Sequence, residues 1–198
     1  MPLTKLNQEM ARFYGSEPLV AGAGPVPCRL MLIGEAPGAR EIETGTPFVG
    51  RAGGNLQDFL AGIGLSRADL YITNVCKFRP VRIREGRRRT VSNRTPTAAE
   101  VRDALPFLLE EIACVDPELI VTLGNTPLNA LSGNRSQRIG DVHGRPLLLE
   151  EGPLLGRTLF ALYHPASLIY NPGLQADYAQ DMLFLRERLR EMEFPVGG

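Results

Sequence analysis

RLMLIGEAPG, residues 29–38, is the stretch on which the fold turns. Arg29–Ile33 (RLMLI) is a short apolar run of strand length, and Gly34 stops it. Pro37 and Gly38 then punctuate a turn. Outward from this strand and turn, the chain alternates. Asn55–Ile63 sets Leu56, Phe59, Leu60 and Ile63 at helical spacing, and Gly64 ends the run. Leu70–Val75 (LYITNV) is apolar and β-branched, a second strand. Thr97 followed by Glu100 is a capping box, which opens a helix running to about Ala113. Leu119–Leu123 is a third strand, with a turn and helix after it over Gly124–Leu131. Thr158–Tyr163 is a fourth strand, and Gln175–Arg190 a closing helix with Tyr178, Met182, Leu185 and Leu189 on one face. Strands alternating with helices predict an α/β protein: a short parallel four-stranded sheet with helices on both faces, in one domain over residues 1–198.

Composition narrows the class. Hydrophobic residues make up 43% of the 198 and charged ones 22%, a balance that fills an ordinary core. No apolar run nears the ~18 residues a membrane span needs. Met1–Met10 lacks the apolar core of a signal peptide. A soluble cytoplasmic protein is expected, and a monomer, since the pattern shows no large exposed apolar face. Cys28, Cys76 and Cys114 are odd in number and scattered without a C-x-x-C pair, which argues against a disulfide framework or a zinc ribbon. The net charge is zero, yet eight cations between Lys77 and Arg94 face only Glu85. So concentrated a positive field suits a polyanion. Val81–Ser92, carrying Arg82, Arg84, Arg87, Arg88 and Arg89, is expected to be a surface loop.

In a parallel sheet the ligand crevice lies beyond the carboxyl ends of the strands. His164 follows the fourth strand directly, where an imidazole can donate a hydrogen bond to an oxygen that gains negative charge. Asn74, near the end of the second strand, offers a donor and an acceptor side by side. Phe48 sits among small residues in Gly45–Gly50, where its ring can stack on a planar base. Glu35, Glu41 and Glu43 follow the first strand, and a carboxylate there can orient water or steady a cationic sugar; spacing does not choose among them. Each residue alone has a plain structural role as well: a core histidine, a turn asparagine, a packed ring, a surface charge. Neither G-x-G-x-x-G nor a P-loop is present.

Six segments add to this in order: GEAPGAREIE (34–43), GTPFVGRAG (45–53), YITNVCKFRP (71–80), NRTPTAAEV (93–101), LGNTPLNAL (123–131) and YHPASLIYNP (163–172). Together they resemble the thermostable-type family 4 branch of the uracil-DNA glycosylases, over roughly residues 18 to 190. The resemblance implies a three-layer α/β/α sandwich and DNA containing uracil as the partner. It implies a base pocket of Gly34, Glu35 and Ala36, whose backbone meets the uracil carbonyls, with Phe48 stacking on the flipped base and Asn74 reading its edge. Glu41 would handle the attacking water, Asn93 would lie near the reacting bond, and His164 would steady charge on uracil O2. Arg51, the arginines of the 81–92 segment and Ser167 would contact the DNA.

The chain also departs from that family. Members usually carry a [4Fe–4S] cluster on four cysteines. Here Phe78 stands in Lys77-Phe78-Arg79-Pro80 where the third is expected, Ala104 where the fourth is, and no cysteine precedes Cys28. No cluster, metal or other cofactor is expected, with apolar packing of Phe78, Ala104 and an N-terminal helix in its place. A related branch has a histidine in the arginine-rich segment that traps the enzyme on DNA; none stands here, so turnover is expected. Two alternatives stay open: a glycosylase for another deaminated base such as hypoxanthine or xanthine, and a weakly catalytic DNA-binding module of the same fold.

Overall fold

β1 (Leu30–Gly34) is buried along its whole length. Its side chains alternate, with Leu30 and Leu32 entering one apolar cluster and Met31 and Ile33 the other. A strand buried on both faces sits at the centre of a layered α/β fold. A computed structural model describes residues 2–86 and 88–196, so Arg87 lies outside the described residues.

In chain order the elements are α1 (Leu3–Tyr14), β1, α2 (Ala39–Thr44), α3 (Arg51–Gly62), β2 (Tyr71–Asn74), β3 (Val81–Arg84), β4 (Thr90–Asn93) and α4 (Ala98–Val115). They continue with β5 (Leu119–Leu123), α5 (Asn125–Ser132), α6 (Ile139–Val142), β6 (Pro146–Leu148), β7 (Thr158–Leu162), α7 (Ser167–Tyr170) and α8 (Gln175–Glu191). The main sheet has the order β2-β1-β5-β7-β6. One face packs on Leu56 and Leu60 of α3 and on Tyr178, Met182, Leu185 and Leu189 of α8. The other packs on Ala104, Leu108 and Ile112 of α4 and Leu131 of α5, with Leu3 of α1 at the margin. The expected three layers are present.

Two expectations are corrected. The sheet has five strands, not four, because β6 pairs antiparallel with β7 at the edge. Three residues are too few to show a period, and a proline at the strand's start marks an edge. The basic segment is no loop: β3 and β4 form an antiparallel hairpin registering Arg82 with Ser92 and Ile83 with Val91. Val-Arg-Ile-Arg alternates with period two, a strand signal hidden by its charge. The capping box is as expected, Thr97 Oγ1 accepting from Glu100 N at 3.2 Å and Glu100 Oε2 from Thr97 N at 2.7 Å.

Candidate active site

Beyond the carboxyl ends of β1, β2 and β7 lies a cleft of about 350 Å³. Ala36, Gly38, Glu41, Phe48, Arg51, Asn74, Asn93 and His164 all line it, so residues up to 128 positions apart in sequence converge there.

Phe48 is 7% exposed and held in a left-handed conformation, φ 54°. Such a φ is costly for a bulky side chain and persists only where neighbours impose it. Here they do. The Arg67 guanidinium donates to Phe48 O at 3.0 Å and Pro47 O at 2.7 Å. Gly53, at the start of α3, lies so close that any side chain there would collide with Phe48 O. The ring is thereby aimed at Gly34, where an added Cβ would come within 2.5 Å of both Phe48 Cζ and Asn74 Oδ1. The absence of a side chain at Gly34 leaves that room. Phe48 also stacks on His164, ring centroids 5.8 Å apart at 30°.

Asn74 ends β2 and is 2% exposed, and its Oδ1 has no hydrogen-bond partner in the protein. A buried carbonyl left unpaired costs free energy and needs a reason. His164 carries the complementary feature. Ala166 N donates to its Nδ1 at 3.1 Å, so Nδ1 bears the lone pair and the ring proton sits on Nε2. Burial pushes its pKa down to about 4, with the charge of Glu41 acting weakly in the other direction. At neutral pH the ring is an uncharged donor.

Glu41 has both carboxylate oxygens engaged by backbone, Oε2 by Gly38 N at 3.0 Å and Oε1 by Gly50 N at 2.8 Å. It ties the turn after β1 to the loop that carries Phe48. The Glu35 side chain points away from the cleft. Its carboxylate accepts from Thr126 Oγ1 at 2.5 Å in the adjoining cavity, and burial raises its pKa. The carbonyls of Gly34 and Glu35 accept from Val75 N at 2.9 Å and Cys76 N at 3.1 Å, which fixes the turn's orientation. Asn93 stands at the rim, its Oδ1 accepting from Arg79 Nε at 2.7 Å. Ser167 is half-buried in the adjoining cavity, with Tyr170 of α7 85% exposed beside it.

Of the cations between Lys77 and Arg94, Lys77 is spent inside the fold, while Arg79 and Arg94 are half-buried and held by Asn93 and Glu100. Lys77 is 1% exposed and pairs with Glu111; Arg94 forms a two-pronged pair with Glu100, both bonds 2.7 Å. Arg82, Arg84, Arg88 and Arg89 are exposed on the hairpin. Arg67 and the rim residues Arg40 and Ile169 escaped sequence reasoning; an arginine whose job is to hold two carbonyls leaves no pattern along the chain.

Among the described residues no group of three or more His, Cys, Asp or Glu side chains could hold a metal ion. Nor is any helix long and apolar enough to cross a membrane.

The sequence signature of the uracil DNA glycosylase superfamily matches residues 21–189. The chain is 38% identical over 168 residues to a type-4 uracil-DNA glycosylase of Pyrobaculum aerophilum, covering 82% of this chain and 79% of that protein. A type-4 uracil-DNA glycosylase of Thermotoga maritima is 37% identical over 153 residues, 77% of this chain and 72% of that one. The crystal structure of wild-type Pedobacter heparinus SMUG2 matches with a TM-score of 0.50 at 14% identity, covering 83% of this chain and 76% of that one. That last likeness concerns the fold alone.

Proposed function

Because the chain belongs to the uracil DNA glycosylase superfamily, we propose that it is a uracil-DNA glycosylase, hydrolysing the bond between uracil and deoxyribose to leave an abasic site. The observation that carries this is the buried carboxamide of Asn74, its Oδ1 without a partner in the protein, facing a cleft with an aromatic ring and a neutral histidine. Uracil presents a carbonyl beside an N–H, and a carboxamide satisfies both at once. Cytosine presents the reverse pattern and would leave buried polar groups unpaired.

The uracil flips out of the helix at a cost of a few kcal/mol, offset by stacking on Phe48 and by hydrogen bonds in the pocket. Backbone amides of Glu35 and Ala36 meet its carbonyls. As the C1′–N1 bond breaks, its electron pair goes to uracil, and His164 Nε2–H donates to O2. A neutral donor suits an anion that must leave. Water bonds to C1′ on the opposite side and gives up a proton, which through solvent neutralises the uracil anion, so that free uracil and an abasic sugar result. Glu41 holds the two loops through its committed lone pairs and offers its remaining ones to that water. Asn93 stands at the rim beside the reacting bond. Arg51, Arg82, Arg84, Arg88, Arg89 and Ser167 contact DNA, to which we add Arg87 on sequence grounds. The protein acts in the cytoplasm as a single-domain monomer, and with no histidine in the basic segment it turns over without trapping itself on DNA.

A four-cysteine iron–sulfur cluster does not fit this chain, which has three cysteines. Phe78 instead packs on Tyr14 with ring centroids 5.5 Å apart, Tyr14 on Phe107 at 6.1 Å, and Ala104 is buried in the same layer. The Cys76 thiol is pushed up to about 12, mainly by burial, and is no thiolate. The reading is that the protein works without a cluster; stoichiometric iron in the purified protein would end it.

The test is incubation with oligonucleotides carrying one uracil, then alkali to cut abasic sites, with hypoxanthine in parallel. Cleavage at uracil, lost in Asn74→Ala and His164→Ala, is expected. Cleavage at hypoxanthine alone, or at neither base, would overturn the assignment.

A further inference from the structure

The β3–β4 hairpin presents two chemically different faces. Strand side chains alternate, so the register puts Val81, Ile83, Val91 and Asn93 on one face and Arg82, Arg84, Thr90 and Ser92 on the other. Ile83 and Val91 stand opposite each other, 47% and 48% exposed, an apolar pair on an otherwise cationic arm. Arginines alone would serve to attract DNA. The apolar pair needs a different occupant.

Its position names one. At the hairpin's base the same face carries Asn93, which lines the base cleft. Val91 and its partner stand two residues further out, roughly 7 Å along the strand. On the glycosylase reading, a nucleotide strand whose base enters the cleft would pass near Asn93, one of the residues lining it. The minor groove of B-DNA is only about 6 Å wide, so the pair reaches to where the complementary strand must lie. Apolar side chains there meet sugars and base edges, while the arginine face stays free for phosphates. The base of the arm is anchored, Arg94 Nε donating to Val81 O at 3.2 Å and Arg94 N to Pro80 O at 3.1 Å.

We propose that the hairpin is a duplex-sensing arm, its Ile83–Val91 pair packing against the second strand beside the flipped nucleotide so that uracil in duplex DNA is favoured over uracil in single strands. This rests on the glycosylase reading above. It deepens that reading by naming the form of the substrate.

The experiment compares uracil excision by the Ile83→Ser/Val91→Ser double variant on one labelled oligonucleotide, single-stranded and in matched duplex at equal salt. The expected result is a fall of about tenfold on the duplex, with single-strand excision within about twofold, the scale a lost apolar contact gives. The swap Ile83→Val/Val91→Ile, which keeps the apolar character, retains duplex activity. An equal fall on both substrates, or none on either, overturns the proposal, the second outcome pointing to some other partner for the pair. A wild-type protein inactive on both forms would instead sink the glycosylase reading, and the two failures are thus distinct.

Discussion

Two buried polar groups sit three residues apart at the end of β2 and are opposites. Lys77 is surrounded by acceptors: Glu111 Oε2 at 2.5 Å, Thr73 Oγ1 at 2.5 Å and Asn74 O at 2.7 Å. Glu111 in turn accepts from Tyr71 at 2.9 Å and from Thr73. Asn74, whose backbone Lys77 grips, leaves its own side-chain oxygen unpaired. A satisfied buried network rigidifies; an unsatisfied group reserves binding energy for a ligand. The first is scaffold for the second, and the contrast predicts opposite responses to mutation.

The largest effect falls on the scaffold. Glu111→Ala strands a buried ammonium, and the loss of a partner in a buried pair costs about 3–5 kcal/mol. Urea unfolding reads that loss directly. The double variant Lys77→Met/Glu111→Leu, which removes both charges, recovers most of the stability. If it does not, the network is more than a neutralised pair. Next comes the site. Asn74→Ala removes no intramolecular side-chain bond to Oδ1, so stability changes by no more than about 1 kcal/mol, while excision falls about 100-fold or more. Equal losses of stability in Asn74→Ala and Glu111→Ala would erase the distinction.

The pH profile sharpens the comparison from His164. Its folded pKa, about 4, lies below the usual 6.5. The folded state therefore binds fewer protons than the unfolded one between those values, and stability rises with pH across that window. The contribution is complete above about pH 6.5 and lost progressively as pH falls toward 4. Excision that relies on the neutral ring stays level from pH 8 to about 5 and declines only near 4. A rise in rate on passing below pH 6.5 would mean that the cationic ring is the active form.

The sequence disclosed these features unequally, for physical reasons. Buried strands and the Thr97–Glu100 cap are local patterns, and β1, β5, β7 and α4 were legible to within a residue or two. The cleft residues Phe48, Asn74 and His164 could be named because strand ends are where such sheets bind ligands, and the resemblance supplied their roles. The supports could not. Arg67 holds the Phe48 loop from 19 residues away, and Glu111 meets Lys77 across 34, with nothing periodic to announce either. Glu41 was expected to serve water, and its bonds to Gly38 and Gly50 add a holding role that spacing does not encode. Lys77 was counted with the surface cations, since a charge run shows sign but not burial.

The smallest effect tests whether the hairpin's arginine face belongs with the site or with the solvent. Arg82 and Arg84 are exposed and share one side of β3, away from Ile83. Each phosphate a protein neutralises releases counterions, and the slope of log affinity against log salt changes by about 0.9 per contact on duplex DNA. Arg82→Ala/Arg84→Ala should make that slope shallower by nearly two, with the excision rate of bound substrate unchanged. The loss of affinity is greatest at low salt and shrinks as screening grows. An unchanged slope would leave the arginines as solvating charge on an arm whose apolar side alone touches DNA. A lower rate on bound substrate would place them instead among the groups that shape the cleft, and the division between gripping arm and reacting pocket would fail.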